Sequence, residues 1–355
     1  MTGTTFGDSP GDCQTELPYI SVAAEMTRGF AELGAAWVEI GTAAGRQDVV
    51  AEGKAMLNES VAVHHDLQTS MARSKIPSVN GSNNGVDCRP HVAGWTCSPS
   101  GRGMHPVGEE HYTYPTLDVY CTGRTYPEAF YSGMLPPDAV SDIVSWASKN
   151  DGVFTVPQQW CTFNSHGWGY GLLQHDYIEQ FLVFTFAVSA HAQTRGTWTA
   201  SECIGSLDRD TGSASGYAAP SQTVVPTLLK WALLWEDPVE KQLWIGKGMP
   251  REWLQPGKSV SLQRSPTRYG RLSFSLEAAA GTVTANVTLP AGFKWPSGGL
   301  KLRLRSPAFV EGKRLKAVTV GGKAWSAFNA TEETVAFAGE PAAPLALQTI
   351  VATLG

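Results

Sequence analysis

The spacing of apolar residues changes once along this chain, and that change limits the fold more than any other feature. In a series of stretches between Glu16 and about Glu236 apolar groups recur every three or four positions, whereas from about Gln242 to Gly355 they alternate with polar ones. The first spacing gathers side chains on one side of a helix, and the second gathers them on one face of a strand. One segment cannot satisfy both, so the 355 residues divide into a helical domain, residues 1–241, and a β domain, residues 242–355, with the change falling between Asp237 and Gly257. A chain of this length is also long enough for two cores.

In the helical part, "ELPYISVAAEMTRGFAELGAAWVEIGTAAG" places Ile20, Ala23, Ala24, Phe30, Leu33 and Trp37 at helical spacing. A second helix is expected from about Gln47 to Ser74, forming a helical hairpin with the first. Residues 75–125 read as loop, punctuated by "NGSNNG" and "SPSGRG". Helices resume at "YPEAFYSGM" and at "PPDAVSDIVSWASKN", where Pro136 and Pro137 mark the start and Asn150-Asp151-Gly152 the stop. The run "HGWGYGLLQHDYIEQFLVFTFAVSAHAQ" is apolar nearly all round from Phe181 to Val188, which predicts a helix buried on every side. "SQTVVPTLLKWALLWEDP" predicts another apolar helix, closed by Pro238.

The β part reads "SVSLQ", "GRLSFSLEA", "GTVTANVTL", "LKLRLRSP", "LKAVTVGGKAW", "ETVAF" and "LALQTIVATL". Period-two alternation, β-branched enrichment and turns every 8 to 12 residues predict an antiparallel β-sandwich.

A net charge of -5 with no Lys/Arg run argues against a nucleic-acid partner, which requires a concentrated basic face. Twelve Trp and ten Tyr beside 17% charged residues suit neutral polyhydroxylated ligands, because an aromatic face packs on C–H groups while polar edges meet hydroxyls. Cysteines at 13, 88, 97, 121, 161 and 203 show no CxxC metal spacing. Their even number and sequons at Asn58, Asn80, Asn286 and Asn329 point to an extracellular, disulfide-bearing glycoprotein. "MTGTTFGDSPGD" has neither the basic nor the apolar region of a signal peptide, so the expectation is that an export signal lies upstream or has been removed. No run of 18 apolar residues is present for a membrane span.

Candidate chemistry falls in two stretches. After Gly171, His175, Asp176 and Glu179 lie within a turn and a half of one expected helix, although carboxylates near a helix start are also favoured by its dipole. Just before them, "FNSHGWGYG" sets Asn164, His166, Trp168 and Tyr170 among three glycines, which lets backbone and rings approach a ligand. The other stretch, "RGTWTASECIGSLDRDTGSASGYAAP", carries Glu202 among small hydroxyl residues, with Arg195, Trp198 and Tyr217 about it and Asp208 and Asp210 following. Burial beside Trp198 would disfavour the charged form of Glu202, as a general acid requires. Glycoside hydrolysis needs two carboxyl groups about 5 to 9.5 Å apart; Asp208, Asp210 and Asp176 are the candidate partners of Glu202. No G-x-S-x-G, H-E-x-x-H, P-loop or dinucleotide motif occurs, and neither cofactor nor metal is expected. Glu109, Glu110, His111 and Asp118 form a further polar cluster, read as a solvated loop.

The series of hairpins, then "RGTWTASECIG" and "YAAPSQTVVPTLLKWALLWEDP", then "LKLRLRSPAFVEGKRLKAVTVGGKAW", resembles the six-hairpin, or (α/α)6 toroid, glycosidases that carry a β-sandwich, rhamnosidase-like members in particular. The resemblance spans about residues 110 to 355. It implies a carbohydrate-active glycoside hydrolase with Glu202 as the catalytic carboxylate and His166, Trp168, His175, Arg195, Trp198 and Tyr217 lining the sugar subsites. A complete toroid has twelve helices and six or seven are expected here, which implies the C-terminal part of a longer enzyme or a reduced version of one. Two other functions fit the same residues: a polysaccharide lyase using Asn164, His166, Tyr170 and Arg195 on a uronate, and a non-catalytic glycan-binding or scaffold protein.

Overall fold

The computed structural model describes residues 20–73, 75–78, 89–92, 96–97, 104–105, 126–148, 159–162, 165–205, 212–213, 217–339 and 349–355. Helices come first and sheets after, and the chain forms two compact units, Met1–Leu228 and Leu229–Gly355.

In the first unit, helices α1 (Ile20–Ala43) and α2 (Gln47–Arg73) form a hairpin. Their backbones meet closely where two glycines face each other: a Cβ on Gly34 would lie 2.8 Å from the Gly53 carbonyl. Ser60 Oγ donates to the Thr27 carbonyl at 2.7 Å, which satisfies the buried hydroxyl. Helices α3 (Tyr126–Ser132) and α4 (Pro137–Ser148) follow, the latter with Asp138 in its first turn. Arg28 of α1 ties the hairpin to α3 by donating to the Tyr131 carbonyl at 2.8 Å.

The stretch expected as one long helix after Gly171 is two. Helix α5 (His166–Gln174) stops and α6 (Ile178–His191) starts after a short break. The break is a Schellman motif: Tyr177 N–H donates to the Leu172 carbonyl at 2.8 Å, Asp176 N–H donates to Leu173 at 3.3 Å, and Asp176 holds the left-handed position at φ 63°. Nor is α6 buried all round. Ile178, Phe181, Phe184, Ala187 and Val188 are buried, while Val183 and Phe186 are 49% and 63% exposed. Apolar composition marked its inward face correctly and said nothing about the outward one.

Helix α7 (Ala219–Leu233) ends earlier than expected. Leu234–Glu236, read as its last turn, forms a strand that pairs antiparallel with Leu243–Ile245. An unbroken apolar run is compatible with either element; here the ladder and the burial of Leu234 in the sheet core settle it. Asp237 closes the hairpin by accepting from the N–H groups of Val239 and Glu240, both at 2.9 Å. The first strand of the β region therefore precedes the expected boundary at 241/242.

Two sheets build the second unit. One has six strands, in the order Ser259–Thr267, Gly270–Ala279, Thr282–Thr288, Thr349–Leu354, Leu315–Val320, Lys323–Trp325. The other has five, in the order Phe328–Asn329, Thr334–Phe337, Leu300–Arg303, Leu243–Ile245, Leu234–Glu236. Leu272, Phe274 and Leu276 of the first sheet share a core with Leu243, Ile245, Leu300, Leu302, Val335 and Phe337 of the second. The sandwich is not wholly antiparallel, because Leu300–Leu302 runs parallel to Leu243–Ile245. A bidentate pair, Arg251 to Glu333 at 2.8 and 2.7 Å, ties the short helix Arg251–Leu254 to the start of Thr334–Phe337, and Arg251 also holds the loop after the central strand by donating to the Ser306 carbonyl at 3.1 Å. Arg305 Nε reinforces it by donating to the Met249 carbonyl at 2.7 Å.

Candidate functional site

The Glu202 stretch is built around a knot of threonines. Thr194 Oγ1 lies 2.7 Å from Thr197 Oγ1 and 2.6 Å from Thr199 Oγ1. The backbone closes the same loop, with Thr194 N–H donating to Thr199 O at 2.8 Å and Trp198 N–H to Thr194 O at 3.0 Å. These bonds hold Trp198 at φ 55°, a left-handed conformation that costs a non-glycine residue about 1–2 kcal/mol. The ring is 63% exposed. A strained backbone holding a large aromatic in water is poor economy for folding alone, and such outliers concentrate at binding sites.

Past the knot, the chain dips to buried Ala200, whose carbonyl accepts from Ala218 N–H at 3.1 Å. That bond brings the start of α7 beside the loop. Tyr217, next to it, is 75% exposed. Two solvent-facing aromatics thus sit within two residues of one backbone bond. Glu202 follows, half-buried, its carbonyl accepting from Thr162 N–H at 2.8 Å. It stands at the start of a small sheet whose central strand, Cys203–Gly205, pairs with Gln159–Cys161 on one side and Gly212–Ser213 on the other.

The same register fixes where Glu202 lies relative to α5. Thr162 accepts from both Ser165 N–H and Ser165 Oγ, and the helix begins at His166. Glu202 backbone is therefore bonded to the segment leading into α5, on the His166 side. Asp176 lies beyond the other end of α5, whose nine residues span about 13 Å. There Asp176 is the left-handed residue of the Schellman motif, with its own N–H bonded to the Leu173 carbonyl. Asp208 and Asp210 lie outside the described residues, as do Asn164 and the Glu109, Glu110, His111 and Asp118 cluster.

The remaining candidates divide by burial. Arg195 is exposed on the turn of the knot, and His175 is half-buried at the C-terminal end of α5. His166 is half-buried, its ring edge-on to Tyr131 at 4.9 Å. Trp168 and Tyr170 belong to the core rather than to a surface, at 2% and 5% exposed. Trp168 packs on Phe130 at 4.9 Å, and the Tyr170 hydroxyl accepts from Arg28 at 3.1 Å. The glycines between them are there for packing. A Cβ on Gly167 would lie 1.9 Å from the Pro127 carbonyl, on Gly169 2.2 Å from Leu228, and on Gly171 2.2 Å from the Phe130 ring. "HGWGYG" thus lets helices, not a ligand, come close.

Sequence reasoning passed over the threonines at 194, 197 and 199. Their spacing around Trp198 was the available signal: short hydroxyl side chains compete for backbone groups in tight loops. Among the described residues no group of three or more His, Cys, Asp or Glu side chains is arranged to hold a metal ion, and no helix is long and apolar enough to cross a membrane.

No known protein family and no curated protein matches the sequence. Among solved structures, one described as a glycoside hydrolase aligns with 99% of this chain at 11% identity and a TM-score of 0.31. The chain spans 50% of the length of that structure.

Proposed function

We propose that the chain is a carbohydrate-active glycoside hydrolase in which Glu202 is the general acid or base and Trp198 and Tyr217 form the sugar platform. The observation that carries this reading is the presentation of two aromatic rings, 63% and 75% exposed, on either side of the Ala200–Ala218 backbone bond, two residues from a half-buried carboxylate. Aromatic faces in water are what the apolar side of a pyranose or furanose ring stacks on. A carboxylate near them along the chain would exchange a proton with the glycosidic oxygen. Arg195, on the same knot as Trp198, offers hydrogen-bond donors to sugar hydroxyls. His166, at the start of α5, follows the segment that Thr162 ties to Glu202. The partner carboxylate falls to Asp208 or Asp210. On the same reading the helices form part of an (α/α)6 toroid of the rhamnosidase-like kind and the protein works outside the cell, its sequon residues Asn58, Asn286 and Asn329 being exposed.

Incubation with a panel of neutral and uronate-containing polysaccharides tests the reading. Release of reducing sugar is expected, with Glu202→Gln lowering kcat about 10²–10⁴-fold at unchanged thermal stability. Trp198→Ala should raise KM with little change in kcat, because stacking serves ground state and transition state alike. An unsaturated, ultraviolet-absorbing product would identify a lyase instead. Glycan binding that Trp198→Ala abolishes, with no product of either kind, would identify a non-catalytic binding protein.

A further inference from the structure

Two of the six cysteines fall opposite each other in the small sheet next to Glu202. The strand Gln159–Cys161 pairs antiparallel with Cys203–Gly205 in a register that sets Cys161 against Cys203. The next pair along, Thr162 and Glu202, is joined by the Thr162 N–H to Glu202 O bond at 2.8 Å. In an antiparallel ladder hydrogen-bonded and non-hydrogen-bonded pairs alternate, so Cys161 and Cys203 occupy a non-hydrogen-bonded pair. Such pairs hold their Cα atoms about 4.5 Å apart, inside the range of about 4.4–6.8 Å that a disulfide bridges.

We propose that Cys161 and Cys203 are a modification site that closes to a cross-strand disulfide. Both thiols lose their protons, and one thiolate attacks a disulfide oxidant such as oxidised glutathione to give a mixed disulfide and one released thiol. The second thiolate then displaces the other glutathione, so that the pair is oxidised by two electrons and the oxidant leaves as two thiols. The bond joins the residue immediately after Glu202 to the strand that leads into α5, and closes the intervening chain, including α6 and the threonine knot, into one covalent loop. It stands whether or not Glu202 is catalytic.

Peptide mapping of the full chain tests it. The protein is incubated with oxidised glutathione, free thiols are alkylated, and the digest is analysed without reduction. A peptide pair linking Cys161 to Cys203, separating on reduction, is the expected product. Alkylation of both residues, stable glutathionylation of either, or linkage of either to another cysteine would overturn the proposal. A second measurement uses no variant: on reduction the melting temperature of the oxidised protein should fall by roughly 5–10 °C, and an unchanged value would count against a closed loop in the native state. Cys161→Ser and Cys203→Ser should each make that reductant-dependent shift smaller than in the parent, and a shift of the parent's size in both would overturn the proposal.

Discussion

Asp176 looks chemical in sequence and has a backbone role in the fold. A carboxylate three residues from Glu179 and one from His175 suggested a reactive group, yet its backbone sits at φ 63° as the left-handed member of a helix cap. Glycine adopts that conformation without the Cβ contact that an aspartate meets. Asp176→Gly is therefore expected to stabilise the protein by about 0.5–1 kcal/mol in urea denaturation and, on the proposed function, to leave hydrolysis unchanged. Loss of activity would return Asp176 to the catalytic pair. Trp198 is the opposite case. Its strained φ of 55° is held by three threonine hydroxyls, so Thr194→Val should release the loop and, on the proposed function, weaken glycan binding about as much as removing the ring does. A calorimetric titration in which Thr194→Val binds like the parent would show that the knot does not position Trp198.

At the scale of elements, α5 is a helix defined by missing side chains. Gly167, Gly169 and Gly171 let it approach α3 and Leu228 more closely than any side chain would permit. Gly167→Ala puts a carbon against the Pro127 carbonyl, which cannot rotate away as the end of a side chain could, and should cost about 3 kcal/mol or more. Gly29→Ala is the internal control, since nothing lies within 4 Å of its added carbon. Being exposed on α1, it should stabilise by about 0.5–1 kcal/mol through helix propensity. Chemical denaturation of the two variants should move in opposite directions. The glycines were plain in the sequence, but whether they opened space for a ligand or for another helix depended on which element lay across from them.

At the scale of the whole molecule, the two compact units each carry their own core and should unfold as separate cooperative steps. Arg251 and Glu333, whose side chains are 24% and 10% exposed, locate one lever on the second unit alone. Glu333→Ala leaves a partly buried guanidinium without its carboxylate and should cost about 3–5 kcal/mol. Differential scanning calorimetry should show one transition displaced and the other unmoved; displacement of both would mean that the units unfold together.

The sequence by itself determined the order helix then sheet, the first hairpin, and most strands of the sandwich, because period and turn chemistry are local and each element carries its own record of them. It also placed Glu202 in a connection rather than in a helix. It did not determine that Leu234–Glu236 is a strand, that α5 and α6 are separate, that Trp168 is core while Trp198 faces water, or that Glu202 is tied to Thr162. Each of those depends on a partner far along the chain: a ladder, a facing helix, a carbonyl at the right distance. An apolar run or a glycine triplet is compatible with several such partners, and only the tertiary structure decided among them, since burial and pairing are properties of two segments together and neither segment records them alone.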